Sequence, residues 1–145
     1  MPTPEAAQEA ILLDTHAWLW LMTGAADRFS QATLELVEAA ARAGAVLIPA
    51  IAVWEVAMQD AKGRITLDAP CDIWVERALS APGVRLIPLS PRIAVDSTRL
   101  PGRFHGDPAD RMIVATARAT QATLITCDGK ILEYAKLGYV RARDL

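Results

Sequence analysis

Five short apolar stretches alternate with segments of helical periodicity, and this alternation constrains the fold more than any other feature of the chain. The stretches are Ile11–Leu13, Ala45–Pro49, Val84–Pro88, Thr123–Thr126 and a less apolar Tyr139–Arg141. Strands of a parallel sheet are covered on both faces, so they read as continuous apolar runs, and the helices that connect them lie between. The expectation is an α/β domain with a central, largely parallel sheet of about five short strands flanked by helices. Start and stop signals mark the helices. Ser30 precedes Leu34, Val37 and Ala41 at helical spacing before Gly44; Ile51, Trp54, Met58 and Ala61 form a face that stops at Gly63. A third helix follows Pro70 and breaks at Ala81-Pro82-Gly83, and Asp107-Pro108-Ala109-Asp110 is a helix start with its cap, its first-turn proline and a third-position acid. The glycine- and proline-containing segment from Leu100 to Gly106 is expected to be the mobile part.

Acids stand at the ends of these apolar runs. Asp14 closes Ile11-Leu12-Leu13, Asp128 follows Thr123-Leu124-Ile125-Thr126-Cys127, and Asp110 opens Arg111-Met112-Ile113-Val114-Ala115. Glu55 is the only charged residue between Ala45 and Met58. A carboxylate costs several kcal/mol to desolvate unless it is paired or bound to a metal. Taken singly, most of these acids have a simpler reading. Asp14, Asp128 and Asp107 are good helix caps, and Asp110 in a first turn favours the helix dipole. Glu55 has no such account, because Ile51, Ala52, Met58 and Gln59 occupy the positions where a base would pair with it. In open parallel sheets the ligand site lies beyond the carboxyl ends of the strands, where these acids would converge. Gathered there, they repel one another and should recruit Mg²⁺ or Mn²⁺, the hard ions that oxygen ligands select. Zinc is disfavoured, since His16 and His105 are the only histidines. An all-carboxylate metal site suits phosphodiester cleavage.

With 145 residues the chain is read as one domain, large enough to bury about 68–70% of the surface its unfolded form exposes. Cys71 and Cys127 carry no metal-binding spacing and read as small buried side chains in a reducing cytoplasm. The longest apolar run, from Ala45 to Trp54, is broken by Pro49 and falls short of the roughly 18 residues of a membrane span. Residues 1–10 contain no base, do not form a signal peptide, and are read as a disordered extension preceding a domain over residues 11–145. A net charge of −2 argues against a nucleic-acid partner only until two divalent ions in the acid cluster turn it to +2. Lys62, Arg64, Arg92, Arg99, Arg103 and Arg111 are then candidates for phosphate contacts. Trp18, Trp20, Trp54 and Trp74 are read mainly as core, although Trp18 and Trp20 cannot share one helical face, which leaves one of them for a partner.

Four motifs in order resemble those of PIN-domain proteins, and most closely the VapC-type ribonuclease toxins of bacterial toxin–antitoxin pairs. They are Ile11-Leu12-Leu13-Asp14-Thr15-His16 with Trp18-Leu19-Trp20, then Val53-Trp54-Glu55-Val56-Ala57, then His105-Gly106-Asp107-Pro108-Ala109-Asp110-Arg111 running to Ala117, then Leu124-Ile125-Thr126-Cys127-Asp128. The resemblance runs from about Ile11 to the carboxyl terminus. It implies a Mg²⁺- or Mn²⁺-dependent endoribonuclease in which Asp14, Glu55, Asp110 and Asp128 bind metal and carry catalysis. Asp107 matches an additional acid of the site, as ligand or cap, and Thr15 and Thr126 match small hydroxyl residues beside it. An RNA substrate, a cognate antitoxin whose tail reaches the acidic cleft, and a homodimer are implied in the same way. The amino-terminal extension departs from the family pattern, in which the first strand begins almost at the start. The competing reading is a non-catalytic PIN fold that holds RNA or a protein; a domain using Asp14 as a phosphoryl-accepting nucleophile lacks the second acid two residues on.

Overall fold

The computed structural model describes residues 9–145. The extension expected at the amino terminus therefore lies mostly outside the described residues. Of its last two positions, the Ala10 carbonyl accepts the Thr123 N–H at 3.0 Å and the Glu9 carboxylate accepts the Thr123 hydroxyl.

The chain alternates as expected: β1 (Ile11–Leu13), α1 (Thr15–Met22), α2 (Gln31–Arg42), β2 (Val46–Pro49), α3 (Ala50–Ala61), α4 (Cys71–Leu79), β3 (Val84–Ile87), α5 (Pro91–Ser97), α6 (Pro108–Thr120), β4 (Thr123–Ile125), α7 (Gly129–Lys136) and β5 (Ala142–Arg143). All strand pairs are parallel, in the order β3-β2-β1-β4-β5. β1 is thus the central strand, and the direction of winding reverses between β1 and β4. Side chains alternate across the sheet. Ile11, Leu13, Val46, Ile48 and Ile125 face a core closed by Trp18 of α1, Ala40 of α2 and Trp74 of α4, while Leu12, Leu47 and Leu124 face another closed by Ile93 of α5, Ile113 of α6 and Ile131 and Tyr134 of α7. α3 spans both, burying Ala52 and Val56 in the first and leaning Ile51 on the second.

Some expectations change. The last strand lies at Ala142–Arg143 instead of Tyr139–Arg141, because Tyr139 is drawn into a ring stack on Tyr134 at 5.1 Å and Val140 is buried in the second core. α5 is an addition to the expected elements, and Ser90-Pro91 is its start signal, with the Ser90 hydroxyl accepting the Ile93 N–H at 3.2 Å. Trp54 is 55% exposed rather than core, because the face of α3 turned inward is that of Ala52 and Val56. Trp20 is the outward member of its pair, with the Arg28 guanidinium 4.4 Å from its ring centroid. Neither cysteine is buried: Cys71 is partly exposed and Cys127 exposed.

The segment from Leu100 to Gly106 is tied down rather than loose. Arg111 reaches back from α6 to donate to the carbonyls of Ser97 at 2.8 Å, Phe104 at 2.9 Å and His105 at 3.2 Å. The Tyr134 hydroxyl donates to the Pro101 carbonyl, and the Phe104 ring stacks on Tyr134 at 4.9 Å. Gly102 is required beneath this stack: its φ is +67°, and a Cβ there would sit 2.6 Å from the Tyr139 ring. Arg111 thus serves the backbone and is not a free phosphate contact. Replacing it, Arg111→Ala, is expected to destabilise by about 1–3 kcal/mol through orphaned carbonyls, whereas Arg92→Ala should cost less than about 0.5 kcal/mol, since the Arg92–Asp96 bridge is exposed. Urea denaturation of the two variants measures the contrast.

Candidate active site

The reversal between β1 and β4 opens a crevice at the carboxyl ends of the strands, the usual ligand position in an open parallel sheet. Asp14 leaves β1 into this crevice. Its N–H donates to the Ile125 carbonyl at 3.2 Å, so the main chain holds it against β4. It is only 7% exposed. Its Oδ1 accepts the Ala17 N–H at 2.8 Å and caps α1, while its other oxygen accepts the hydroxyl of the buried Thr126. That hydroxyl also accepts the Asp128 N–H at 3.0 Å, so one threonine ties the acid after β1 to the acid after β4. Asp128 in turn caps α7 through Lys130 N–H at 2.9 Å and Ile131 N–H at 3.0 Å. The capping reading is therefore correct for both residues, and it uses only part of each carboxylate.

Glu55 reaches in from α3. The Thr15 hydroxyl donates to its Oε1 at 2.6 Å, which supplies the partner that no residue of its own helix provides. Asp107 accepts the Asp110 N–H at 2.9 Å and caps α6, which turns Asp110 toward the same crevice. His105, which opens the third motif and has no zinc-binding partners in the sequence, lies beside Asp110. Its Nδ1 accepts the Asp107 N–H at 3.3 Å, leaving Nε2 to face Asp110 Oδ2 at 3.2 Å, close enough for an ion pair but not aligned for a hydrogen bond.

The acids share one field. Asp110 is pushed up from 3.8 to about 7, first by burial and then by the charges of Asp107, Asp128, Glu55 and Asp14. Burial also raises Glu55, with Asp107 and Asp14 adding to it against the Thr15 hydrogen bond. Asp14 is raised by burial against its hydrogen bonds from Thr126 and Ala17, with a smaller contribution from Asp128. All five acids singled out in the sequence thus converge. Among the described residues, however, no three His, Cys, Asp or Glu side chains gather within ligating reach of one point. The structure shows a shared field rather than a finished coordination sphere. Asp107, Asp110 and Asp128 line an open cleft of about 870 Å³ together with Arg103, His105, Lys130 and Tyr134. Lys130 had no sequence signal as a site residue; it arrives there because Asp128 starts α7.

A family model for the PIN domain matches residues 11–137. The chain belongs to the PIN-domain family. Ribonuclease VapC22 of Mycobacterium tuberculosis is 33% identical to it over 121 residues, covering 83% of this chain and 88% of that one. Among solved structures, a chain of VapBC2 from Rickettsia felis bound to a DNA fragment from its promoter superposes with a TM-score of 0.66 at 18% identity, over 94% of this chain and 98% of the other. A chain of DNA-bound VapBC from Salmonella typhimurium gives 0.63 at 13%, with the same coverages, and one of FitAcB from Neisseria gonorrhoeae gives 0.60 at 19%, over 91% and 95%. At these identities the structural likenesses establish the fold of this PIN domain.

The donors fit a hard cation. Every acid of the cluster offers oxygen, and among the described residues Glu55 Oε2, Asp110 Oδ1 and Asp128 Oδ2 accept no hydrogen bond. The raised acids also set a pH dependence. A native carboxyl with a pKa near 7 holds a proton that the unfolded chain releases near 3.8, so stability of the metal-free protein should fall as pH rises through this interval. Denaturation midpoints should be higher at the acid end of that window than above it, and Asp110→Asn should flatten the trend. A midpoint that rises with pH in the wild type and is unchanged in Asp110→Asn would contradict the shared field.

Proposed function

We propose that this PIN domain is the toxin of a toxin–antitoxin pair, an endoribonuclease that hydrolyses RNA phosphodiester bonds with Mg²⁺ or Mn²⁺. The observation that carries this reading is the convergence of Asp14, Glu55, Asp110 and Asp128 at the reversal of the sheet, in a field strong enough to raise Asp110 to about 7. Kinship with a ribonuclease at 33% identity supports the same chemistry. Asp14, Glu55, Asp110 and Asp128 are the residues assigned to hold the ion, and when bound it supplies Lewis acidity for phosphodiester hydrolysis. Thr126 and Thr15 fix the orientations of Asp14 and Glu55 through their hydroxyls. Asp107 adds negative charge beside Asp110 and starts its helix, and His105 places a ring nitrogen against the Asp110 carboxylate. Retention of all four acids favours catalysis over a PIN fold that only binds.

Asp14→Asn and Asp110→Asn test the assignment. Asparagine caps helices nearly as well as aspartate, so α1 should survive in the first variant while the charge is lost. Both variants should lose RNA cleavage by about a hundredfold or more and should no longer arrest growth on expression, on the scale expected when a term stabilising the transition state is removed. End-mapping of total RNA after brief induction, in wild type and variants, measures this. Cleavage at undiminished rate in both would refute the nuclease assignment.

The proposal includes a cytoplasmic location, a cognate antitoxin and self-association as a homodimer. Among the described residues no helix is long and apolar enough to cross a membrane. The solved neighbours are chains of complexes named as VapBC and FitAcB, which supports an antitoxin partner here. An apolar groove formed by Ile51 and Trp54 of α3, Leu89, and Pro108 and Met112 of α6 is the surface assigned to the second copy. Trp54→Lys should convert a dimer into a monomer by sedimentation while leaving the far-ultraviolet circular dichroism of the folded chain unchanged. A variant that sediments as the wild type would remove this surface from the proposal.

A further inference from the structure

The chain has fifteen Lys and Arg residues, and the structure sorts them by what their side chains already do. Arg111 holds three backbone carbonyls, and Arg118 and Arg141 donate to those of Tyr139 and Gln121. Arg143 donates to the Thr33 hydroxyl, and Arg28 lies over the Trp20 ring. Arg77, Arg92, Arg99 and Lys136 are paired with acids. Six remain uncommitted among the described residues: Arg42, Lys62, Arg64, Arg85, Arg103 and Lys130. Only Arg103 and Lys130 line the cleft that holds Asp107, Asp110 and Asp128.

Their lack of partners there is informative. Both cations share a cleft with four carboxylates, those of Asp107, Asp110, Asp128 and Glu133, yet neither comes within 4.0 Å of one to form an ion pair. Glu133 lines the same cleft, and its charge is met by Lys136 at 2.9 Å. The cleft therefore has an acidic end and, beside it, two unspent positive charges on different elements. Arg103 sits on the segment pinned by Arg111 and Tyr134, and Lys130 in the first turn of α7. Single-stranded RNA presents the complementary pattern, a row of phosphates of which one must reach the acids.

We propose that Arg103 and Lys130 are the RNA-positioning residues of this site, receiving the phosphates next to the scissile one, so that the bound strand runs from the acids across the start of α7. The assignment rests on the ribonuclease reading above and adds the route of the substrate. It corrects the sequence-based list of phosphate contacts. Arg92, Arg99 and Arg111 are occupied, Lys62 and Arg64 lie outside the cleft, and Lys130 joins Arg103.

The test is the salt dependence of RNA binding, measured by fluorescence anisotropy with a short, mixed-sequence single-stranded RNA, with Ca²⁺ as the divalent ion and a KCl series. Each phosphate neutralised on a single strand contributes about 0.7 to the slope of log affinity against log salt. Arg103→Ala/Lys130→Ala should lower the slope by about 1.4, from two such contacts. The charge-preserving Arg103→Lys/Lys130→Arg should keep the wild-type slope, which a merely structural role would not predict. Lys62→Ala/Arg64→Ala should leave it unchanged. A wild-type slope in Arg103→Ala/Lys130→Ala, or an equal loss in Lys62→Ala/Arg64→Ala, overturns the assignment and leaves the ribonuclease reading standing. A wild-type protein that does not bind this RNA at all overturns both.

Discussion

The parallel pairing of β1 with β4 is the contact on which the rest depends. Leu12 sits against Leu124 and Leu13 against Ile125, with the Asp14 N–H continuing the ladder to the Ile125 carbonyl. These few residues come from chain positions more than a hundred apart, and they create the place where successive crossovers of the described sheet leave in opposite directions. Both strands are buried on both faces, which ties their register to the two cores they divide. The register in turn brings the Thr126 hydroxyl to Asp14, and the site follows from that bond.

Around this point the fold concentrates a cost. Carboxylates from β1, α3, α6 and the start of α7 are turned into one crevice, where burial and mutual repulsion hold Asp14, Glu55 and Asp110 above their ordinary range. The protein offsets part of this with hydroxyls and helix caps rather than with lysine or arginine side chains, since Thr15, Thr126 and the first-turn amides of α1, α6 and α7 do the holding. That choice leaves negative charge in place for a cation. A salt-bridged cluster of the same acids would be more stable on its own and less able to take up an ion, the usual trade between stability and function at such sites.

The bases follow a complementary logic. Arg111 follows Asp110 in sequence yet points the other way, into the carbonyls of the segment that carries Arg103 and His105. One arginine is used to fix the wall of the cleft, and this leaves Arg103 on that wall unpaired. The aromatic stack of Phe104, Tyr134 and Tyr139 secures the same wall from beneath.

The sequence by itself determined the α/β class, four of the five strand positions, most helix boundaries, and which acids stand at the ends of the apolar runs. These are legible because parallel strands must be apolar, caps follow local chemistry, and a charge such as Glu55 inside an apolar run has no local explanation. Tertiary structure decided what depends on partners distant in the chain. It moved the last strand to Ala142–Arg143, because Tyr139 and Val140 are spent on packing. It exposed Trp54, because α3 turns its small side chains inward. It fastened the segment from Leu100 to Gly106, whose two glycines and one proline read as loose, through an arginine and a tyrosine that follow it in the chain. It also separated the spent cations from the free ones, since a charge is read from the chain as a type, while its availability depends on which carbonyl, ring or acid the fold brings within reach.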